Sequence, residues 1–320
     1  MIKKDDLIMK FIIHPGYCKT ATTTLQNNLI EKHSQILSLG RPWTDDTRNF
    51  VREIKKHEGL DFNIERAKSA LDGLLLGGVG ERDCGGGARV AVISDETIHL
   101  DQSKVGIYAD RIKTLFPNGE ILLTIRNQIK IIESNYLHFG RILKNLPKPY
   151  SRRHVEMDAW LDWCWQNWDN SLFGLIDYDK HIRMYQKIFG PEKVHILLFE
   201  DFVNNPDEYI EKLSNIFGID PHEAKKCFSN KHDNLQDSVR SVNYLKFREY
   251  FFPSIDIRSA IPFGSSLMKM LSSYLEKGKS EKKVKLSDEW RDRLENKYKD
   301  GNVRMANENG LKLSQYNYPL

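Results

Sequence analysis

The sequence predicts a three-layer α/β fold, a central parallel β-sheet flanked by helices. Four short, continuous apolar runs recur along the chain, and helical patterns separate them. The first run also breaks at a Pro-Gly pair directly ahead of a helix-compatible segment. Continuous apolar runs of this length suit strands buried on both faces of a parallel sheet, and their alternation with helices gives a doubly wound layer.

The first strand is Lys10 to His14, a β-branched and aromatic run that ends at Pro15-Gly16 and leads to a helix from about Thr22 to Lys32. A helix follows over Asn63 to Leu76. Seven glycines between Gly73 and Gly87, without periodicity, then mark a flexible surface loop. Strands at Arg89 to Ser94, Glu120 to Ile125 and Lys193 to Phe199 alternate with helices at Val105 to Phe116, Gln128 to Leu146, Asp158 to Asn170, Asp177 to Phe189 and Asn205 to Phe217. Beyond about Asn230 the strand pattern stops. A Lys-rich link from Lys277 to Lys285 precedes a last helix, about Ser287 to Gly310, with Ser287 as its N-cap and Gly310 as its stop.

These patterns define a single domain over 1–320, in which 1–229 form the α/β layer and 230–320 a helical C-terminal region that closes the site. Forty-eight Lys and Arg against forty-four Asp and Glu leave a net charge of +4, too small over 320 residues to mark a nucleic-acid partner. Cys18, Cys84, Cys164 and Cys227 are far apart and form no CxxC pair, so neither a zinc knuckle nor a disulfide framework has sequence support. The N-terminal apolar run is too short for a signal peptide or a membrane span. A cytoplasmic protein without a transmembrane segment is the expectation, with room for peripheral membrane contact.

The most informative segment is His14-Pro-Gly-Tyr-Cys-Lys-Thr-Ala-Thr-Thr-Thr-Leu25. A strand that ends in a Gly turn and feeds a helix N-terminus presents backbone N–H groups and the positive end of a helix dipole to one small volume. Gly16, Cys18, Lys19, Thr20, Ala21, Thr22, Thr23 and Thr24 are the candidate anion-binding residues, with Lys19 as a mobile charge and the hydroxyls completing the donor set. A run of four hydroxyls beside a lysine is more than helix capping alone requires. Cys18 stands where a Walker A loop has its second glycine, which disfavours magnesium-dependent ATP hydrolysis. Thr24 occupies the place where a thiol phosphatase loop carries arginine, which disfavours Cys18 as a nucleophile.

After the third predicted strand, Arg126 sits where a parallel strand delivers side chains to the ligand crevice, and Ser134 lies eight residues further on. A guanidinium and a hydroxyl could grip a second phosphate; Arg126 could equally pair with a nearby carboxylate. Together the two segments resemble the sulfotransferase family, which uses 3′-phosphoadenosine 5′-phosphosulfate (PAPS) as sulfuryl donor. Lys19-Thr20-Ala21-Thr22-Thr23 is similar to its 5′-phosphosulfate loop (Lys, small residue, Gly, Thr, Thr), and Arg126 with Ser134 is similar to its 3′-phosphate motif. A third likeness is Val194 to Phe202 followed by Asn205-Pro206 and Phe217-Gly218, which resembles a structural run of the family. Asn302 to Ala306 and Leu311 resemble the ending of bacterial-type members.

The resemblance implies a P-loop NTPase-like sulfotransferase fold and transfer of a sulfuryl group from PAPS to a hydroxyl, releasing 3′,5′-adenosine bisphosphate (PAP), with no metal required. Ala21 replaces the usual glycine, a mild change at ordinary helical dihedrals and a costly one at positive φ. The Lys-Thr-His motif and the C-terminal RKG segment of the cytosolic phenol and steroid branch are both missing, so the expected acceptor is a carbohydrate or glycolipid. Lys19 is then the group that stabilises charge on the leaving phosphate oxygen.

Ser94-Asp95-Glu96 resembles a segment of glycan sulfotransferases whose glutamate is the base, which makes Glu96 the candidate general base; capping of the next helix by Asp95 or Glu96 is the alternative. His14 and His138 are lesser candidates. Trp160, Trp163, Trp165 and Trp168 lie on one predicted helix and fit core packing better than sugar stacking. Two other functions stay open on sequence: a P-loop-like kinase or phosphotransferase, and a nucleotide-binding protein without turnover.

Overall fold

The computed structural model describes residues 9–40, 43–56, 62–81, 88–139, 155–229 and 285–320. They form two compact units: residues 1–127, 168–232 and 297–320, and residues 128–167 and 233–296. The predicted loop residues 82–87, the expected helix beyond Phe139, the link before Lys285 and the region after Ser229 up to that link lie outside the described residues.

The first unit holds a parallel five-stranded sheet: β1 (Lys10–His14), β2 (Ile36–Ser38), β3 (Val90–Ser94), β4 (Glu120–Ile125) and β5 (Val194–Leu198). The spatial order is β2-β3-β1-β4-β5, and His14 pairs in register with Ser94. Ile12, Ile13, Val90 to Ile93 and Ile121 to Leu123 are almost completely buried, as expected of central strands covered on both faces.

One face of the sheet packs on Leu25, Leu29 and Ile30 and on Leu213 and Phe217 of a helix over Pro206–Phe217. The helix Tyr178–Phe189 contacts β4 and β5, and also packs on the helix Val105–Leu115. Three layers result. Among the described residues, no helix is long and apolar enough to cross a membrane.

The helical segments begin close to their predicted positions, and three differences stand out. The segment after the loop is one short α-turn, Thr22–Thr24, continued as a π-helix over Leu25–Ile30. The expected glycine-rich loop is in part helical, because the helix beginning at Ile64 runs to Glu81; single glycines cost a helix only about 1 kcal/mol each. A helix over Asp45–Lys55 and strand β2 were not predicted. That helix is set by a capping box in which the side chains of Thr44 and Thr47 bond each other's backbone N–H. The last helix, Asp288–Asn309, begins where Ser287 Oγ accepts from Trp290 N and stops at Gly310, φ 63°.

A C-terminal segment is tied to the sheet. Asn127 Nδ2 donates to the carbonyls of Tyr316 (3.1 Å) and Asn317 (2.6 Å). The Tyr316 hydroxyl donates to Asp201, and the Tyr318 hydroxyl to Glu200 (3.0 Å). Glu200 Oε1 accepts in turn from Asn127 N (2.9 Å). Burial raises the Glu200 carboxyl above its ordinary pKa. The Glu200-Asp201 pair is therefore a fastening, in keeping with a structural run.

In the second unit, Trp160 is buried against Tyr136, with ring centroids 5.6 Å apart. Arg293 lies over the rings of both Trp165 and Trp290. Trp168, in the first unit, packs on Phe173 and Tyr298. These contacts match the packing role expected for Trp160 and Trp168.

Candidate active site

The strand order reverses direction around β1, because the chain moves to β2 and β3 on one side and to β4 and β5 on the other. Loops leaving the carboxyl ends of β1, β3 and β4 therefore meet at the switch point where open α/β sheets bind ligands. Those three loops carry Lys19, Glu96 and Arg126.

The loop after β1 is fixed from inside. The hydroxyls of Thr20 and Thr22 both donate to the carbonyl of Tyr17, at 2.7 and 3.0 Å. Because a carbonyl only accepts, His99 Nδ1–H donates to Gly16 O (3.1 Å), and the neutral ring's Nε2 accepts from the Tyr185 hydroxyl (3.0 Å). Arg126 Nη1 donates to Lys19 O at 2.9 Å. Three loop carbonyls are thus turned into the protein. Since each peptide is planar and trans, the N–H groups of Tyr17, Cys18 and Thr20 are aimed the opposite way.

This arrangement requires unusual backbone. Gly16, Lys19 and Ala21 all have positive φ, at 68°, 63° and 62°. Gly16 accepts this freely and also leaves room: a Cβ there would lie 3.1 Å from both Glu96 Cγ and Thr22 Cγ2. Ala21 realises the costly case, a left-handed alanine where the family pattern has glycine, at a cost of about 1–2 kcal/mol.

Thr20 and Thr22 are buried, Thr24, Cys18 and Lys19 half-buried, and Thr23 exposed. The two buried hydroxyls commit their protons to Tyr17. Of the four threonines, Thr23 and Thr24 keep more of their surface exposed.

Beneath the loop lies a buried imidazole and phenol cluster. His99 and His181 stack at 5.2 Å, and the Tyr17 hydroxyl meets His181 Nδ1 at 3.3 Å. Burial lowers the pKa of His14 and of His181 to about 4 and that of His99 well below its usual value, the last with help from neighbouring His181. His14 is fully buried and meets Ser94 Oγ at 2.8 Å, which makes it part of the core. The side chain of His138 lies outside the described residues.

Arg126 is held at the end of β4 by Tyr178, whose hydroxyl donates to Arg126 O (2.9 Å), and its guanidinium lies 4.5 Å over the ring of Phe199. One of its hydrogen bonds goes to the backbone of the loop after β1, at Lys19 O. Ser134 is half-buried on the helix Gln128–Phe139, in the second unit.

After β3, Asp95 does the capping: its carboxylate accepts from Thr97 N (2.9 Å) and from Thr97 Oγ1 (2.7 Å). Glu96 makes no capping hydrogen bond and places its Cγ beside Gly16 and Thr22.

Sequence reading missed a cavity of about 590 Å³ next to Glu96, lined by Trp43, the helix Asp45–Lys55, Arg66, Asp95 and Thr97. The signal was present as Arg48, Arg52 and Lys55, spaced at i, i+4 and i+7 so that they share one helix face.

Residues 98–223 match the model of the sulfotransferase family. That span includes β4, Arg126, Ser134 and β5, while the loop after β1 and Glu96 precede it. No curated protein sequence matches. Among solved structures, a sulfotransferase from Alicyclobacillus acidocaldarius is 16% identical, with 88% of this chain and 98% of that chain covered and a TM-score of 0.47. The sulfotransferase domain from the curacin biosynthetic pathway is 14% identical over 82% of this chain and 97% of that chain, with a TM-score of 0.41. Mouse sulfotransferase SULT7A1 complexed with PAP is 13% identical over 90% of this chain and 88% of that chain, with a TM-score of 0.40. The likeness to the sulfotransferase family model thus covers residues 98–223 of this chain.

Proposed function

We propose that the protein transfers the sulfuryl group of PAPS to a hydroxyl of a carbohydrate or glycolipid, releasing PAP. The observation that carries this reading is the inward turn of the Gly16, Tyr17 and Lys19 carbonyls, each held by a named donor. A loop built this way faces a bound anion with N–H dipoles and without carbonyl repulsion.

Gly16, Cys18, Thr20, Ala21, Thr22, Thr23 and Thr24 form the cradle for the 5′-phosphosulfate. The buried Thr20 and Thr22 shape the loop, and the more exposed Thr23 and Thr24 add hydroxyls to it. Lys19 stabilises charge on the leaving phosphate oxygen, worth about 10²–10³ in rate for one well-placed donor. Arg126 and Ser134 take the 3′-phosphate, and through Lys19 O the arginine also fixes the 5′ loop. Glu96, beside that loop, removes the proton of the attacking hydroxyl. We place the reaction in the cytoplasm, in keeping with four scattered cysteines that show no pairing pattern.

Calorimetry with PAP, 5′-AMP and Mg-ATP on the wild type and on Lys19→Ala and Arg126→Ala tests the donor site. PAP should bind most tightly, and Arg126→Ala should erase most of the preference for PAP over AMP. Equal affinity of the wild type for PAP and AMP would remove Arg126 and Ser134 from the site, and tighter binding of Mg-ATP would point to phosphotransfer.

A further inference from the structure

The cavity beside Glu96 is cationic beyond what the protein's +4 would lead one to expect. Arg48, Arg52, Lys55, Lys56 and Arg66 line it, and among the described lining residues Asp95 is the one carboxylate. Asp95 is already engaged by Thr97, whose hydroxyl also accepts from Lys55 Nζ.

Two further carboxylates stand nearby. Glu53 pairs with Lys56 and, at 3.8 Å, with Arg66; Asp45 reaches Arg48 at 3.9 Å. The Asp45 and Arg48 side chains are both largely exposed, so that pair contributes little. Even with both counted, positive charge is in excess. Like charges gathered around one concavity repel each other, and a surface of this kind is stabilised by an anion that enters it.

The position of the cavity gives this charge a use. Asp95 and Thr97 form part of its wall, and Glu96 between them reaches towards Gly16 and Thr22 of the donor loop. The cavity therefore has both chain neighbours of the candidate base in its wall. Its volume lies within the range of about 300–1,000 Å³ typical of small-molecule sites, and Trp43 adds an aromatic face to the wall.

We infer that this cavity is the acceptor subsite and that the acceptor is an anionic sugar, one that carries an oxyanion next to the hydroxyl to be sulfated. Arg48, Arg52 and Lys55, on one helix face, meet the oxyanion, and Trp43 lies along the sugar. This inference rests on the sulfotransferase reading above and narrows its acceptor from any carbohydrate or glycolipid to an acidic one. The same guanidinium chemistry serves a carboxylate or a sulfate ester.

The test is binding, measured on the full chain with PAP present. Uronate-containing hexasaccharides (hyaluronan, chondroitin, heparosan) are compared with their carboxyl-reduced counterparts and with O-sulfated forms. At least one acidic hexamer should bind about tenfold more tightly than its reduced form, with a preference that weakens as salt rises. A higher affinity of the uronates or of the sulfated forms identifies the oxyanion.

The double variant Arg48→Glu/Arg52→Glu should abolish the preference, Arg48→Lys/Arg52→Lys should keep most of it, and both should bind PAP as the wild type does. Equal or undetectable binding of all acidic and reduced hexamers overturns the inference, as does charge reversal without effect. If the acidic hexamers bind but PAP does not, the sulfotransferase reading fails and the anion subsite stands; if PAP binds and the acidic preference is missing, the reverse holds.

Discussion

The loop after β1 and the cationic cavity lie on either side of Glu96, and they are built in opposite ways. In the loop the polar groups are spent on the protein itself: Thr20, Thr22, His99 and Arg126 hold three carbonyls, and the surrounding side chains are largely buried. In the cavity wall, Arg48, Arg52 and Arg66 are exposed, on long side chains with weak local ion pairs. A loop fixed in advance loses little freedom when it binds one invariant phosphate group. Long, hydrated cations adapt to variable partners and steer them in from solution. The contrast suits the proposed division between a constant donor and a variable acceptor.

The residue between the two regions offers the sharpest way to separate them. Glu96→Gln should lower sulfuryl transfer by about 10²–10⁴ while PAP affinity and hexasaccharide affinity stay near wild type. A rate assay beside two calorimetric titrations checks this, and full activity in the variant would take Glu96 out of the mechanism.

Acid provides a second test, because the buried imidazoles of His14, His99 and His181 lie under the loop and, among the described residues, no imidazole lines the cavity wall. His14, His99 and His181 are held neutral, with the pKa of His14 and His181 lowered from 6.5 to about 4. The unfolded chain takes up protons on these groups first. Their contribution is therefore complete above about pH 6.5 and is lost as pH falls towards 4, at up to about 1.4 kcal/mol per pH unit for each imidazole. Glu200 and Asp177, with raised carboxyl pKa, gain protons first in the folded state and oppose this loss at its acid end. The urea midpoint should fall between pH 7 and pH 5; a flat midpoint would mean that the imidazoles are not buried in neutral form.

The smallest expected effect concerns the loop backbone alone. Ala21→Gly should relieve the left-handed alanine and stabilise the fold by about 1 kcal/mol, less the entropy that glycine adds to the unfolded chain. Thermal unfolding reads this directly. A destabilised variant would show that Ala21 does not hold φ near 62° in solution.

The central layer was readable because β1, β3, β4 and β5 are continuous apolar runs, a signal that burial on both faces writes directly into sequence. Strand β2 escaped notice because Ile36–Ser38 is three residues long and has no periodicity to detect. The helix Asp45–Lys55 escaped because its polar face is dense with charge and its capping box closes with Thr47 in place of a glutamate. In the loop after β1 the residue types were legible and the backbone was not: nothing in Lys19 or Ala21 announces a positive φ, which follows from the inward pull on the carbonyls. The cavity was hardest to foresee, because Arg66 and Asp95 join the Arg48 face only once three separate segments have folded together.

The fastening of Asn127 to Tyr316 and Asn317 also sets an order of events during synthesis. The Asn127 amide must wait for partners 189 and 190 residues further along the chain. At about 5–20 residues per second, translation leaves this fastening unmade for roughly 10–40 s after Asn127 is made. The turn that follows Arg126 is therefore completed only when the last few residues of the chain have been made.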